Sequence, residues 1–262
     1  GDALRTAALE LEVGELQRHL GRLDAAQTCF DSALHTFAAA GDIVQTGAAK
    51  VCLANLAYLR ERWLLALDLC HEVLATILDP HFVRARALFV AAGAYDRLHE
   101  EGQADQLYGE SQAAWEELGE PRWAALCLQN RAWLASQRGE KGLARALCAR
   151  ALATFVDLGA LHSQAVVHQD WGIIEYLDGN MQAALLRYQE AEKNFRRLGD
   201  ILYLAMVCNN IGLVYRAEQK WDEAEAYYAL SVGIYRELGT VLARINIDSG
   251  RGKLWLERGE AA

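Results

Sequence analysis

Histidine and cysteine are the residue types with which this chain could bind a metal ion or attack a substrate. The seven histidines show no His-Glu-x-x-His arrangement or other short ligand spacing, and no two cysteines have Cys-x-x-Cys spacing. We therefore predict no metal site and interpret the histidines as surface or turn residues. They are His19, His35, His71, His81, His99, His162 and His168.

A glycine-rich stretch near the carboxyl end has the composition of a phosphate-binding loop. It reads Ser249-Gly250-Arg251-Gly252-Lys253 and lacks the Gly-x-x-x-x-Gly-Lys-Ser/Thr spacing that holds a phosphate. No nucleophile, base and orienting group can be assigned together in the sequence. We therefore predict that the chain is not an enzyme and needs no cofactor.

The charge and hydropathy of the chain limit its partners. The 262 residues include 26 Lys and Arg against 35 Asp and Glu, which gives a net charge of −9 at pH 7. Because nucleic-acid binding depends on positive charge near the phosphates, we predict no direct nucleic-acid partner. No stretch reaches the roughly 18 uninterrupted apolar residues of a membrane span, so we also expect no membrane contact.

The cysteines and the chain ends bear on where the protein works. Single, scattered cysteines are typical of a reduced cytoplasmic protein with small buried thiols. Residues 1–11 contain no basic segment followed by an apolar run, so no secretory signal is predicted. The sequence starts without methionine and stops within helical sequence, and we expect it to be part of a longer protein. The cysteines are Cys29, Cys52, Cys70, Cys127, Cys148 and Cys208.

A repeat of about forty residues organises the elements that would position any site. The segments 118–120, 158–160, 198–200 and 238–240 each begin with Leu-Gly, and segments 40–42 and 78–80 continue the series toward the amino end. A small residue recurs in the first half of each repeat: Gly14, Ala54, Ala92, Ala132, Gly172 and Gly212. An alanine recurs in the second half: Ala26, Ala66, Ala104, Ala144, Ala184 and Ala224.

Two large residues follow each of these alanines. The residue four positions after each alanine is aromatic or a cysteine: Phe30, Cys70, Tyr108, Cys148, Tyr188 and Tyr228. A large apolar residue then precedes each turn: Phe37, Ile77, Trp115, Phe155, Phe195 and Tyr235. Small residues let two helices approach closely, and a bulky residue one helical turn along fills the space beside the contact. The order therefore predicts pairs of antiparallel helices.

The turns between the pairs carry helix-ending and helix-starting signals. A glycine after the second helix supplies a left-handed cap, and Asp42, Asp200 and Thr240 stand where the next helix N-cap is expected. One pair cannot bury its own apolar face, so the pairs must stack.

The residues Gly212, Tyr215, Ala224, Tyr228 and Ser231 give the chain a pattern that resembles the tetratricopeptide repeat (TPR) family. The preceding repeat matches with Gly172, Tyr176, Ala184, Tyr188 and Ala191. The resemblance covers nearly the whole chain, although the repeat exceeds the family's usual length of about 34 residues and glycine replaces the family's proline. Such long repeats are similar to those of kinesin light chains, spindle-orientation adaptors and bacterial regulators related to the maltose-regulon activator.

The resemblance implies an all-α fold, a right-handed α-solenoid of about six antiparallel helix pairs plus a C-terminal helix. We expect a single domain over 1–262. Its repeats are predicted at about 1–40, 41–78, 79–118, 119–158, 159–198 and 199–238, with the terminal helix at 239–262. That helix, which includes Trp255, is either a cap or the start of a truncated seventh unit.

First helices line a concave surface in this family, and on this chain the resemblance implies a binding surface there. Its predicted residues are Gln129, Asn130, Trp133, Gln169, Asp170, Asn209, Asn210 and Arg216. Amide side chains both donate and accept hydrogen bonds, so a column of them could satisfy the backbone of an extended peptide. The alternative is that these side chains cap neighbouring turns or face water.

The amino-terminal half of the same surface is expected to be largely apolar. It projects as Ala8, Leu11, Ala48, Val51 and Phe89, which would suit an apolar segment of a partner or another copy of the chain. The lysines, asparagines and arginine with which some family members hold a chaperone's carboxyl terminus cannot be assembled at the matching positions. Chaperone tails are therefore not expected as partners.

The sequence thus predicts a protein- or peptide-binding interaction or sensor module of a larger bacterial regulatory protein in the cytoplasm. Two alternatives stay open. One is a small-molecule-sensing domain that controls an attached effector domain, and the other is a scaffold for homo-oligomerisation.

Overall fold

A computed structural model describes residues 1–79 and 81–239. Within these residues the chain forms twelve α-helices and no β-strand. The helices are α1 (Asp2–His19), α2 (Leu23–Ala39), α3 (Ile43–Leu59), α4 (Trp63–Thr76), α5 (Phe82–Arg97), α6 (Glu101–Glu117), α7 (Pro121–Gln137), α8 (Lys141–Asp157), α9 (Leu161–Leu177), α10 (Met181–Leu198), α11 (Ile201–Ala217) and α12 (Trp221–Glu237).

The described helices form two compact units, one up to residue 134 and one from residue 135 onward. In the first unit α1 packs on α2, α3 on α4 and α5 on α6, and α3 also contacts both α1 and α5. In the second unit α9 packs on α10 and α11 on α12, and α9 also contacts α11. The all-α fold built of neighbouring helix pairs confirms the fold class predicted from the repeat. The single domain over 1–262 stays a prediction.

The turns between successive pairs use the caps that the sequence predicts. Gly199 ends α10 in the left-handed conformation with φ 69°, and the Asp200 side chain then accepts a hydrogen bond from the Tyr203 N–H at 3.2 Å. Asp42 caps α3 in the same way, accepting from the Gln45 N–H at 3.0 Å. Each bond satisfies a backbone donor that a helix start leaves unpaired. Thr240 and the predicted terminal helix beyond Gly239 lie outside the described residues.

The core follows the forty-residue register. The alanine series of the second helices is fully buried, and so are nearly all atoms of the two large residues that follow each alanine. A buried hydroxyl repeats in the same register: Ser111 Oγ donates to the Ala85 carbonyl at 2.9 Å, and Ser231 Oγ donates to the Ala205 carbonyl at 2.7 Å. The equivalence of the repeats therefore extends from sequence to hydrogen bonding.

The cysteines are packing residues. All six are free thiols, five of them are buried and Cys29 is half-buried. Burial raises the pKa of Cys70 to about 12 and that of Cys208 to about 12, so both stay protonated thiols near neutral pH. This confirms the prediction of small buried thiols for every cysteine except Cys29.

Candidate functional site

A pocket with a volume of about 210 Å³ opens in the first unit. Four first helices contribute to it, namely α1, α3, α5 and α7, and the second helix α6 contributes one ring. Its walls divide into an aromatic part and a polar part. The aromatic part consists of Tyr58, Phe89, Tyr108 and Trp123, and the polar part consists of Arg18, Asn55, Arg86 and Asn130.

The aromatic wall is held by ring contacts that continue into the core. The Phe89 ring meets the Tyr108 ring edge-on at a centroid distance of 5.3 Å and the Trp123 ring at 6.1 Å. Trp123 in turn stacks on Trp115 at 5.3 Å, and Trp115 is only 1% exposed. Because the buried Trp115 ring holds Trp123 and Trp123 contacts Phe89, the aromatic wall is preorganised.

Gly93 on α5 allows two tyrosines to approach the pocket floor. A Cβ atom at this position would lie 3.2 Å from Tyr58 Cε2 and 3.4 Å from the Tyr108 hydroxyl oxygen. Arg97 Nε donates to the Tyr58 hydroxyl at 3.1 Å, and burial raises the pKa of Tyr108 far above its ordinary value. The Tyr108 ring therefore presents a neutral surface to the pocket.

Two arginines of the pocket lining, Arg18 and Arg86, share a single carboxylate. Glu15 accepts from Arg18 Nε at 2.9 Å and from Arg18 Nη2 at 2.7 Å. Arg86 Nη2 reaches Glu15 Oε1 at 3.3 Å, as does the Cys52 thiol. Two positive charges and one negative charge meet here, which leaves one positive charge in excess.

The pKa of Glu15 reports the balance in this cluster. Burial alone raises the pKa, but the hydrogen bonds and charge of Arg18, with smaller contributions from Cys52 and Arg86, outweigh burial and hold the pKa below its ordinary value. Glu15 is therefore ionised at neutral pH and neutralises part of the arginine charge.

Two asparagine amides complete the polar part. Asn130 Nδ2 donates to the Leu126 carbonyl at 2.9 Å, a bond within α7 that leaves its Oδ1 available as an acceptor. Asn55 on α3 is half-buried and makes no hydrogen bond within residues 1–79 and 81–239. The pocket thus offers amide donors and acceptors beside aromatic surface and cationic charge.

The structure brings only one of the sequence-predicted residues into this pocket, namely Asn130. Gln129 and Trp133 lie half-buried on the same helix, α7. In the second unit Asp170 on α9 and Asn209, Asn210 and Arg216 on α11 are half-buried.

Gln169 differs from the expected exposed amide. Its side chain is 5% exposed, and its Oε1 atom is buried without a hydrogen-bond partner among the described residues. A buried acceptor without a donor is costly, by about 1–3 kcal/mol. The amide column of the second unit therefore consists of half-buried members and one buried member.

The expectation of a largely apolar amino-terminal half is wrong. Of the residues projected there, Phe89 lines the pocket and Val51 is buried at 1% exposure, while Arg18, Asn55 and Arg86 bring polar groups. The sequence does contain a signal for these polar groups, namely a polar residue at a fixed position of the repeat. Glu15 and Asn55 each follow the small first-helix residue of their repeat directly, a position that the sequence analysis did not consider.

The second unit contains a polar cluster that the sequence analysis also missed. Glu175 is 6% exposed and accepts two hydrogen bonds from Arg145, each at 2.9 Å. Trp171 Nε1 donates to Glu175 at 3.0 Å and Asn180 Nδ2 donates at 2.9 Å. The Arg187 guanidinium lies 3.5 Å above the Trp171 ring. Arg145, Trp171 and Asn180 all donate to Glu175 within the unit, so we interpret the cluster as a structural network.

The described residues also bear on metal binding and on membrane insertion. No group of three or more His, Cys, Asp or Glu side chains there could hold a metal ion. Within the same residues, no helix is both long and apolar enough to cross a membrane.

The sequence matches no family model and no curated protein. Solved structures do resemble the chain. BtubC (BKLC) from P. vanneervenii is 22% identical, with a TM-score of 0.67 over 91% of this chain and 93% of that one. The nearly identical TPR-like repeats of a Podosopora anserina kinesin light chain are 14% identical, with a TM-score of 0.60 over 73% and 95% of the two chains. The fold is that of TPR-like repeat proteins.

A third structure belongs to a regulator with a bound peptide. The Rap conjugation gene regulator of plasmid pLS20, in complex with the Phr* peptide, is 12% identical to this chain. Its TM-score is 0.66 over 95% of this chain and 78% of the regulator. At this level of identity the likeness concerns the TPR-like fold.

Proposed function

We propose that this chain is a peptide-binding module that takes an extended segment of a partner across its first helices. The observation that carries the proposal is the pocket of the first unit, where amides, arginines and a fixed aromatic wall meet on helices α1, α3, α5 and α7. Backbone-satisfying amides beside aromatic and arginine anchors are the groups that dominate peptide recognition.

The structure of the Rap regulator supports this proposal by its fold and by its bound peptide. A chain of the same fold binds the Phr* peptide. We further propose that this module belongs to a larger bacterial regulatory protein that works in the cytoplasm. The peptide would then report a signal to that protein or bring it to a partner.

The second unit carries its own set of predicted amides and charged residues. Asn209 and Asn210 are half-buried on α11 and make no hydrogen bond within the residues that the structure describes. Gln169 offers a buried acceptor that a peptide N–H could satisfy once neighbouring side chains move. The remaining predicted residues stay candidates for peptide contacts: Asp170 and Arg216 in the second unit, and Gln129 and Trp133 in the first.

A peptide-display selection on the immobilised chain, followed by calorimetry of the selected peptides, tests the proposal. An Asn55→Ala, Asn130→Ala double variant should weaken a selected peptide by about tenfold or more, because two backbone hydrogen bonds of about 1 kcal/mol each are lost. Gln106→Ala is the matched control, since Gln106 bonds only Glu110 on the exposed face of α6. Equal affinities of both variants and the parent would refute binding at this pocket.

The triple variant Gln169→Ala, Asn209→Ala, Asn210→Ala extends the test to the second unit. If the second unit contacts a selected peptide, this variant should weaken the binding of that peptide and leave helicity unchanged by circular dichroism. Unchanged affinity for every selected peptide would limit the binding surface to the first unit.

A second candidate function is assembly with another copy of the chain. Exposed apolar side chains recur at helical spacing along α1 and its C-cap: Leu9, Val13, Leu16 and Leu20. A stripe of this kind favours a protein contact. Sedimentation analysis over a range of concentrations, with Leu9→Glu, Leu16→Glu as the disrupted variant, would show whether copies associate through it. A mass that stays monomeric at all concentrations would exclude this candidate.

A further inference from the structure

We propose that the pocket of the first unit binds the side-chain carboxylate of an aspartate or glutamate within the bound peptide, and that Arg86, which Glu15 contacts only once in the unbound chain, receives this carboxylate. This inference rests on the proposed function and adds the chemistry of the ligand to it.

The charge of the pocket is complementary to a single anion. Arg18 and Arg86 line the pocket, and none of its lining residues is a carboxylate. The facing carboxylate is Glu15, which both arginines contact. Two positive charges facing one negative charge leave room for one further carboxylate.

The two arginines hold Glu15 unequally. Arg18 donates two short hydrogen bonds of 2.9 and 2.7 Å, both to the Oε2 atom of Glu15. Arg86 makes one longer contact of 3.3 Å and keeps 34% of its side chain exposed. A guanidinium carries five N–H donors, so most of the donors of Arg86 stay available to an incoming carboxylate.

The surroundings of Arg86 strengthen the binding of a peptide carboxylate. The aromatic wall of Phe89 and Trp123 removes water from one side of the pocket, and an ion pair gains strength where water is excluded. The volume of about 210 Å³ accommodates one side chain with adjoining backbone rather than a folded element. The rings can cover the methylene groups of that side chain while the arginines receive its charge.

The positions of the amides favour an internal residue of the peptide over its carboxyl terminus. Asn55 lies on α3 and Asn130 on α7, the first helices before and after α5. A peptide that meets both amides must cross α5 and continue in both directions. The acidic group that faces Arg86 on α5 is then a side chain in the middle of the bound segment.

Calorimetry with one selected peptide in three forms tests this inference. The forms are the parent peptide, the same peptide with its acidic residue changed to the amide (Glu to Gln or Asp to Asn), and the parent peptide with an amidated carboxyl terminus. We expect the side-chain amide to weaken binding about 10- to 100-fold, the range that corresponds to a charged hydrogen-bonded pair. Amidation of the terminus should change the affinity less than threefold.

Variants of the chain give the reciprocal result. Arg86→Met should lower the affinity for the parent peptide about 10- to 100-fold. It should change the affinity for the side-chain amide form little, because only the parent peptide has a charge for Arg86 to bind. Glu15→Gln should raise the affinity for the parent several-fold, since the competing negative charge is gone. Arg60→Met is the control, because it removes the same charge from an ion pair with Asp24 outside the pocket.

A loss of folding is separated from a loss of binding by Arg86→Lys. This variant keeps the charge but loses the fork, and it should bind with intermediate affinity at an unchanged melting temperature. Equal binding of the acidic and amide peptides, or no gain from Glu15→Gln, would overturn the inference and leave peptide binding intact. Loss of binding on terminal amidation would assign the site to a chain end instead. If the selection yields no peptide at all, the proposed function itself fails.

Discussion

Gly172 on α9 lies directly against the ring of Tyr188 on α10, and a Cβ atom at position 172 would lie 2.5 Å from Tyr188 Cε1. The same approach recurs at Gly212 and Tyr228, where the distance is 2.7 Å. It recurs again at Gly14, with 2.4 Å to Phe30. The glycine and the ring stand sixteen residues apart each time, so one repeat position sets how closely the helices of a pair can approach.

Gly172→Ala should therefore destabilise the chain. The added methyl group has no space beside the rigid, buried ring, and overpacking of this kind costs about 1–3 kcal/mol. Gly233→Ala is the matched control, because that helical glycine has nothing within 4 Å of the added Cβ atom and should gain about 0.5–1 kcal/mol of helix propensity. Urea unfolding of both variants measures the difference. Shifts of the same sign would contradict the close approach.

A compensating substitution on α10 should rescue part of this loss. The second repeat pairs Ala54 with Cys70, both fully buried in one cluster, which shows that the smaller thiol accommodates an alanine. Tyr188→Cys alone leaves a cavity and should destabilise the chain by about 3 kcal/mol. Combined with Gly172→Ala, it should cost at least 1 kcal/mol less than the sum of the two single changes, roughly the coupling expected of touching residues. Additive free energies of unfolding would show that the two positions do not sense each other.

The third repeat shows why alanine and tyrosine can also coexist. Ala92 and Tyr108 are both buried there in one cluster. The tyrosine hydroxyl lies next to Gly93, at 3.4 Å from where a Cβ atom would stand. In this repeat the glycine stands one position further along α5, at Gly93, and the Tyr108 ring lies next to it at the pocket.

Gln219→Gly should stabilise the second unit. Gln219 adopts φ 59° in the turn within the last described pair, where the preceding repeat has Gly179 at φ 80°. A side chain in the left-handed region costs about 1–2 kcal/mol, which exceeds the entropy that glycine loses on folding. We expect a gain of about 0.5–1 kcal/mol in thermal unfolding, and a loss of similar size for Gly179→Ala. A lower melting temperature for Gln219→Gly would show that the Gln219 side chain contributes more than its backbone strain costs.

The repeat register predicts the core because burial in this fold is set locally. A residue's place in the forty-residue repeat fixes the helix face on which it lies, and the partner of that face is the next helix along the chain. Ala184, Tyr188 and Phe195 are therefore assigned correctly from spacing alone. The caps at Asp42 and Asp200 follow from equally local signals.

The pocket could not be predicted in the same way because its residues come together only through packing between repeats. Arg18 and Arg86 are distant in sequence and meet through Glu15, and nothing in their spacing indicates that contact. Gln169 illustrates the other limit. It occupies the same repeat position as Gln129 and Asn209, yet it alone is buried, because register fixes a face but not how deeply neighbouring side chains cover it.

The Arg145–Glu175 pair should make the stability of the second unit depend on pH. The hydrogen bonds from Arg145 lead the causes that hold the pKa of Glu175 below its ordinary value of 4.5, with Asn180 and Trp171 adding to them against the effect of burial. A carboxylate whose folded pKa is depressed contributes stability above the unfolded pKa, and that contribution is lost as the pH falls through the folded pKa. Glu175→Gln should therefore destabilise the chain at pH 7, by about 1–3 kcal/mol.

The gap between the parent and Glu175→Gln should then narrow as the pH falls from 7 to 3, because protonation of Glu175 makes the parent resemble the variant. Urea unfolding at pH 7, 5, 4 and 3 measures that gap. Glu110→Gln is the control, since Glu110 is exposed on α6 and accepts only from Gln106. Its gap from the parent should stay near zero at every pH. A gap for Glu175→Gln that stays constant down to pH 3 would mean that packing around the side chain, rather than its charge, stabilises this part of the second unit.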